Sequence, residues 1–146
     1  MPLYRCVIAP KLSSYEQRSQ IAQEVTRIHC AVTDALPTFV HTFFVEDDEG
    51  LLPPDKRALM LGSIRAGRTD DQKTRLTSEM AHALAHTLAL AADQVSVVTI
   101  DLPARWVMEG GDVLPEPGDE AAWLAARAKG LRESASLISG FARKPI

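Results

Sequence analysis

An internal repeat constrains this fold more than any other feature. Residues 14 to 46 align with residues 69 to 101 at a constant offset and without a gap. Gln17 falls on Gln72, Arg18 on Lys73, Ser19 on Thr74, Ile21 on Leu76, Glu24 on Glu79, Val25 on Met80, Val40 on Val95, Val45 on Ile100 and Glu46 on Asp101. Identities are few, but the punctuation of local structure recurs in the same register. Ser14-Tyr15-Glu16-Gln17 and Thr69-Asp70-Asp71-Gln72 both fit a capping box, in which a hydroxyl accepts from one backbone N–H at a helix start and the residue three positions on reaches back to another. Behind each box an apolar stripe runs at helical spacing, Ile21, Val25, Ile28 and Val32 in the first copy and Leu76, Met80, Ala83 and Thr87 in the second.

Apolar runs of strand length bracket both helices. Leu3 to Ala9 and Phe39 to Val45 flank the first, and Ala58 to Ile64 and Val95 to Ile100 flank the second. A stretch rich in proline and acids, Asp47 to Asp55, separates the copies. The expected fold class is α/β (α+β): two fused β-α-β units, about 1–46 and 57–101, making one mixed four-stranded sheet with two helices on one face. Each unit pairs its strands in parallel through a right-handed crossover. An approximate twofold axis between the units sets strand 58 to 64 antiparallel to strand 3 to 9. The other sheet face is left apolar and uncovered, which implies a partner, most simply further copies of the same chain. The fused domain is expected over 1–118, with a C-terminal helical segment and tail over 119–146 that includes a short helix from Asp119 to Ala128.

Composition narrows the function. A chain of 146 residues supports one domain with a core. Its net charge of −3 offers no basic surplus for a phosphate backbone, so nucleic acid is not an expected partner. No apolar stretch approaches the ~20 residues of a membrane span and no export signal is evident, so a cytoplasmic chain without membrane association is expected. Cys6 and Cys30 read as small buried hydrophobes rather than a disulfide framework. His82 and His86 have the spacing of helical metal ligands, but they fall away from the Leu76-Met80-Ala83 stripe and lack a third ligand, so they read as solvated. With no phosphate loop or catalytic triad in view, neither a metal nor a cofactor is expected.

The chemistry-bearing residues converge on Pro2. Loss of Met1 would make Pro2 a terminal secondary amine, and an α-amino group titrates at roughly 7.7 to 8.0, where it can act as base, acid or nucleophile. Proline at a strand start also needs no functional explanation. Strand 3 to 9 rises roughly 20 to 24 Å, and a helix covers that distance in about 15 residues. Counted from Ser14, the chain returns level with Pro2 at His29, on the edge of the apolar stripe. Its counterpart in the second copy is Leu84, so one unit places an imidazole where the other places a hydrocarbon. A half-buried core histidine would look the same. The exit of strand 58 to 64, Ile64-Arg65-Ala66-Gly67-Arg68-Thr69, comes beside Pro2 in the antiparallel arrangement. Arg65 and Arg68 there precede a helix N-terminus, which already favours anions, and guanidinium groups add planar recognition of a carboxylate. Pro2, His29, Arg65 and Arg68 thus outline a pocket for a small carboxylate.

The chain resembles the tautomerase superfamily, and within it the cis-3-chloroacrylic acid dehalogenase group, from Met1-Pro2 to about Gly118. The resemblance rests on Pro2, on Arg27-Ile28-His29, on Ile64-Arg65-Ala66-Gly67-Arg68-Thr69, and on Pro103-Ala104-Arg105-Trp106-Val107-Met108-Glu109-Gly110-Gly111 leading to Leu114-Pro115-Glu116-Pro117-Gly118. It implies that Pro2 is the catalytic amine, that His29, Arg65 and Arg68 bind and polarise the substrate carboxylate, that Glu109 activates water, and that the chain forms a homotrimer. Taken alone, Glu109 between loop residues reads as a solvated acid. The resemblance departs at Val98, where the dehalogenases carry a tyrosine that assists water activation; the hydroxyl of Thr99 points to the other sheet face. Enol-keto tautomerisation of small unsaturated or 2-oxo acids, as in a phenylpyruvate tautomerase, needs only Pro2 as general base and the carboxylate site. The alternatives are hydration or hydrolytic dehalogenation of cis-3-haloacrylic acids, with Pro2 as acid, and a non-catalytic oligomeric binding protein.

Overall fold

The structure is a computed structural model that describes residues 2–109, 111–116 and 118–141, the side chains of 131–141 excepted. Met1, Gly110 and Pro117, which belong to the motifs above, and the tail 142–146 lie outside the described residues. In chain order the elements are β1 (Leu3–Ile8), α1 (Tyr15–Thr33), β2 (His41–Glu46), β3 (Ala58–Arg65), α2 (Asp70–Leu88), β4 (Val95–Leu102), β5 (Met108–Glu109), β6 (Asp112–Val113) and α3 (Glu120–Phe141). They form two compact units, the first Met1–Pro103 and the second beginning at Ala104, so the boundary expected near 118 falls inside the second.

The sheet of the first unit has the order β2-β1-β3-β4. Parallel pairs β1·β2 and β3·β4 flank a central antiparallel pair β1·β3, with Leu3 opposite Ser63 and Ile8 opposite Ala58. This is the expected mixed four-stranded sheet, and the approximate twofold axis runs through its middle. Both capping boxes are present, Ser14 with Gln17 and Thr69 with Gln72. Each capping glutamine also crosses to the other helix: Gln17 Nε2 donates to Thr87 O (2.8 Å) and Gln72 Nε2 to Val32 O (3.0 Å). Those two bonds occupy equivalent places in the repeat, so each helix start satisfies a carbonyl at the other helix's end, where the helix itself offers no donor. The repeat extends to the exits: α1 ends on left-handed Asp34 (φ 56°) and α2 on left-handed Ala89 (φ 53°). One-turn 3-10 segments follow at Pro37–Phe39 and Ala92–Gln94, which is why β2 starts at His41 rather than at Phe39.

Strand alternation divides the side chains between the two sheet faces. Tyr4, Cys6 and Ile8 of β1 and Ala58, Met60 and Ile64 of β3 meet Ile21, Val25, Ile28 and Val32 of α1 in one core. The second stripe differs from the sequence reading: α2 buries Leu76, Met80, Leu84 and Leu88, while Ala83 and Thr87 are half-buried. Burying a leucine side chain contributes about 2 kcal/mol and an alanine much less, so the helix rotates to favour its leucines. The opposite face carries Leu3, Phe43, Leu61, Val98 and Ile100, which stay between 38% and 55% exposed. Cys6 is buried as expected, but Cys30 is only half-buried.

In the second unit β5 and β6 pair antiparallel, Glu109 opposite Asp112, as a small hairpin that the sequence reading did not anticipate. The short helix expected from Asp119 to Ala128 is longer, Glu120–Phe141. Its many alanines, with leucine, arginine, lysine and glutamate, are strong helix formers, and a single exposed glycine such as Gly130 costs only about 1 kcal/mol.

Candidate active site

The start of β1 is anchored by His41, whose backbone N–H donates to Pro2 O (3.1 Å), and Pro2 is buried. By strand parity Pro2 shares the helix-facing side with Tyr4. Helix α1 then returns to the same end, as the length argument requires, and brings His29 into contact with β1. Tyr4 Oη and His29 Nδ1 lie 2.6 Å apart, the rings nearly perpendicular at 70°. Both side chains are buried, His29 at 2% exposure.

Gly62 of β3 makes room for this pair. It sits directly opposite Tyr4 in the sheet register, and a Cβ there would lie 2.6 Å from Tyr4 Cε1 and 3.3 Å from Thr99 Cγ2. The loop after β3 turns at Gly67 (φ 95°) and delivers Arg68 to the end of α1, where Nη1 donates to Thr33 O (3.2 Å). Thr33 in turn donates through Oγ1 to His29 O (2.8 Å).

The electrostatics follow from burial and two cations. The His29 pKa is pushed down to about 4, first by burial, then by the Arg68 guanidinium and the positive amino terminus. The imidazole is therefore neutral at neutral pH. Burial raises the Tyr4 phenol above its ordinary value against a smaller opposing pull from Arg68, so it keeps its proton. The Cys6 thiol, deep in the same core, is pushed up to about 12 by burial and stays unreactive.

Of the residues singled out in the sequence, Pro2, His29 and Arg68 come to one end of the first unit. Arg65 is the last residue of β3, and strand alternation directs it to the sheet face opposite the helices. Val98 lies on that same face, and Thr99 lies on the helix side beside Gly62, as its parity requires. Glu109 belongs to the second unit. There Arg127 Nη1 lies 3.5 Å from Glu109 Oε1 and Arg127 Nε 3.9 Å from Asp112 Oδ2. The guanidinium carbon sits 5.0 Å from the Trp123 ring centroid, and Trp123 Nε1 donates to Val113 O (2.9 Å). Glu109 Oε2 is buried without a hydrogen-bond partner among the described residues. Glu109 is therefore not the solvated loop acid that its neighbours in sequence describe.

His82 and His86 are exposed, and among the described residues no cluster of three potential metal ligands occurs. No described helix is long and apolar enough to cross a membrane. The sequence reading passed over Tyr4, Gly62 and Arg127. Two signals for the first pair were present: Tyr4 has the parity of Pro2, and Gly62 is a glycine inside a strand, where close approach of another group is a common reason. Arg127 gave only its helical spacing from Trp123.

A fused pair of β-α-β units around one four-stranded sheet defines the class as tautomerase-like. A crystal structure of a member of the cis-3-chloroacrylic acid dehalogenase (cis-CaaD) family superposes with a TM-score of 0.80 at 30% identity, over 92% of this chain and 98% of that one. The chain belongs to the cis-3-chloroacrylic acid dehalogenase family, within the tautomerase superfamily. A wild-type fused 4-OT, an asymmetric trimer, matches with a TM-score of 0.67 at 20% identity over 76% of this chain and 94% of the other. A malonate semialdehyde decarboxylase inhibited by 3-bromopropiolate matches with a TM-score of 0.56 at 20% identity over 74% and 88%. At those two identities the likeness is one of fold. No family profile and no curated protein matches the sequence.

Proposed function

We propose that the protein is an amino-terminal-proline enzyme that tautomerises small unsaturated or 2-oxo carboxylic acids. The observation that carries this reading is the meeting of the β1 start, buried neutral His29 and Arg68 at one end of the first unit. With Met1 removed, the Pro2 amine takes the proton from the enol oxygen as the carbonyl forms and returns it to the adjacent carbon, so no proton is gained or lost. Arg68 holds the substrate carboxylate, to which His29 adds a donor. The apolar sheet face is covered by further copies of this chain in a homotrimer, a reading supported by the exposed Leu3, Phe43, Leu61, Val98 and Ile100.

The test follows the ultraviolet absorbance of phenylenolpyruvate with wild type and Pro2→Ala, after intact mass has established loss of Met1. Equal rates in the two would remove Pro2 from the mechanism. The unpartnered, buried Glu109 Oε2 favours a second reading, hydration or hydrolytic dehalogenation of cis-3-haloacrylates with Glu109 deprotonating water and Pro2 acting as acid. Halide release decides dehalogenation, and no release above background leaves tautomerisation or hydration.

A further inference from the structure

We propose that Tyr4 is a positioning residue that fixes His29 as the tautomer protonated at Nε2, so that the ring offers the substrate carboxylate a neutral N–H donor. The inference rests on the role for His29 proposed above, but its central observation does not. Tyr4 Oη and His29 Nδ1 are 2.6 Å apart, with the two residues at 0% and 2% exposure. A contact this short between buried groups allows two proton arrangements. Either the phenol O–H donates to Nδ1, or a protonated Nδ1 donates to the phenol oxygen.

The second arrangement leaves the phenol's own proton in need of another acceptor. His29 Nδ1 is the hydrogen-bond partner of Tyr4 Oη among the described residues, and an unpaired buried O–H loses its hydration without compensation. The first arrangement satisfies both groups at once, one proton to one lone pair. The neutral ring then carries its proton at Nε2.

The surroundings oppose an imidazolium. Arg68 approaches from the loop before α2, while Tyr4 of β1 and Cys30 of α1 remain uncharged. A second positive charge would meet the Arg68 guanidinium in a desolvated space, whereas a neutral N–H adds a directed donor without that repulsion. Gly62 completes the device, since its missing Cβ is what lets the Tyr4 ring lie flat enough against β3 to reach Nδ1. Helix α1 holds the other side of the pair through the Thr33 hydroxyl on the His29 carbonyl.

The test is a two-bond proton–nitrogen correlation spectrum of protein labelled with nitrogen-15 in its histidine rings, taken near neutral pH, with His29→Gln identifying the His29 signals. Wild type should show an unprotonated Nδ1 and a protonated Nε2. Tyr4→Phe, which keeps the ring volume, should shift both nitrogens toward a mixture of tautomers and raise KM for phenylenolpyruvate on the order of tenfold with a smaller change in kcat. A protonated Nδ1 or an imidazolium in wild type overturns the proposal, as does a Tyr4→Phe spectrum identical to wild type or an unchanged KM. Circular dichroism confirms that the variant folds, and the wild-type spectrum needs no variant to be decisive. If neither wild type nor Pro2→Ala turns over phenylenolpyruvate, the proposed function fails while the ring spectrum still decides the tautomer.

Discussion

Acidification should destabilise this fold through one side chain, His29, by an amount that its burial sets. The native pKa is pushed down to about 4 from an ordinary 6.5, chiefly by burial. Between those values the unfolded chain binds a proton that the native chain refuses, so the stabilisation is complete above the unfolded pKa and is lost as pH falls toward the folded one. Each pH unit in the steep part is worth about 1.4 kcal/mol, and the loss between about pH 7 and about pH 4.5 comes to about 2 kcal/mol. Urea unfolding followed by circular dichroism, at one protein concentration so that association does not intervene, measures it. Carboxylates also titrate in this range, so the control is the double variant His29→Leu/Tyr4→Phe. It places at 29 the residue type that the repeat places at 84 and removes the hydroxyl that would be orphaned. Wild type should lose about 2 kcal/mol more than the double variant over the same interval. Equal losses would refute the claim that a buried neutral imidazole governs acid stability.

Three further perturbations probe the fold around the site. Gly62→Ala should cost about 1 to 3 kcal/mol in the same urea assay, because the new Cβ would fall 2.6 Å from Tyr4 Cε1 and the ring must move; an unchanged midpoint would show that the ring is not confined. Ala89→Gly should stabilise by about 0.5 to 1 kcal/mol, since Ala89 holds φ 53° at the end of α2 where glycine carries no Cβ penalty, and a lower melting temperature would contradict this. Leu61→Asp, at 39% exposure on the bare sheet face, should shift sedimentation from oligomer to monomer, and an unaltered oligomer would mean that another surface makes the contact.

How much of this was legible in the sequence depends on the range of the interactions involved. The capping boxes at Ser14 and Thr69 and the Ile21-Val25-Ile28-Val32 stripe are local patterns, so the sequence states them nearly in full. Antiparallel packing of the two units followed from their similarity, and the level at which His29 meets β1 followed from rise per residue. The Leu84 and Leu88 stripe was missed because a helix of mixed alanine and leucine has more than one plausible apolar face until a sheet is set against it. Glu109 looked solvated because its partner Arg127 lies well down the chain, and only the folded second unit sets that helix against the β5–β6 hairpin.

By itself, then, the sequence determined the two β-α-β units, their antiparallel arrangement, the bare apolar face and the titratable groups gathered toward the start of β1, because each depends on periodicity, capping or length. Only the tertiary structure decided that Tyr4 lies over Gly62 and closes on His29 Nδ1, that Arg68 reaches the end of α1, and that His29 is dry enough to stay neutral. The physical reason is that hydrogen bonds and pKa values respond to ångström separations and to the exclusion of water, and both are fixed by side chains brought together from strands and helices that are remote in the chain.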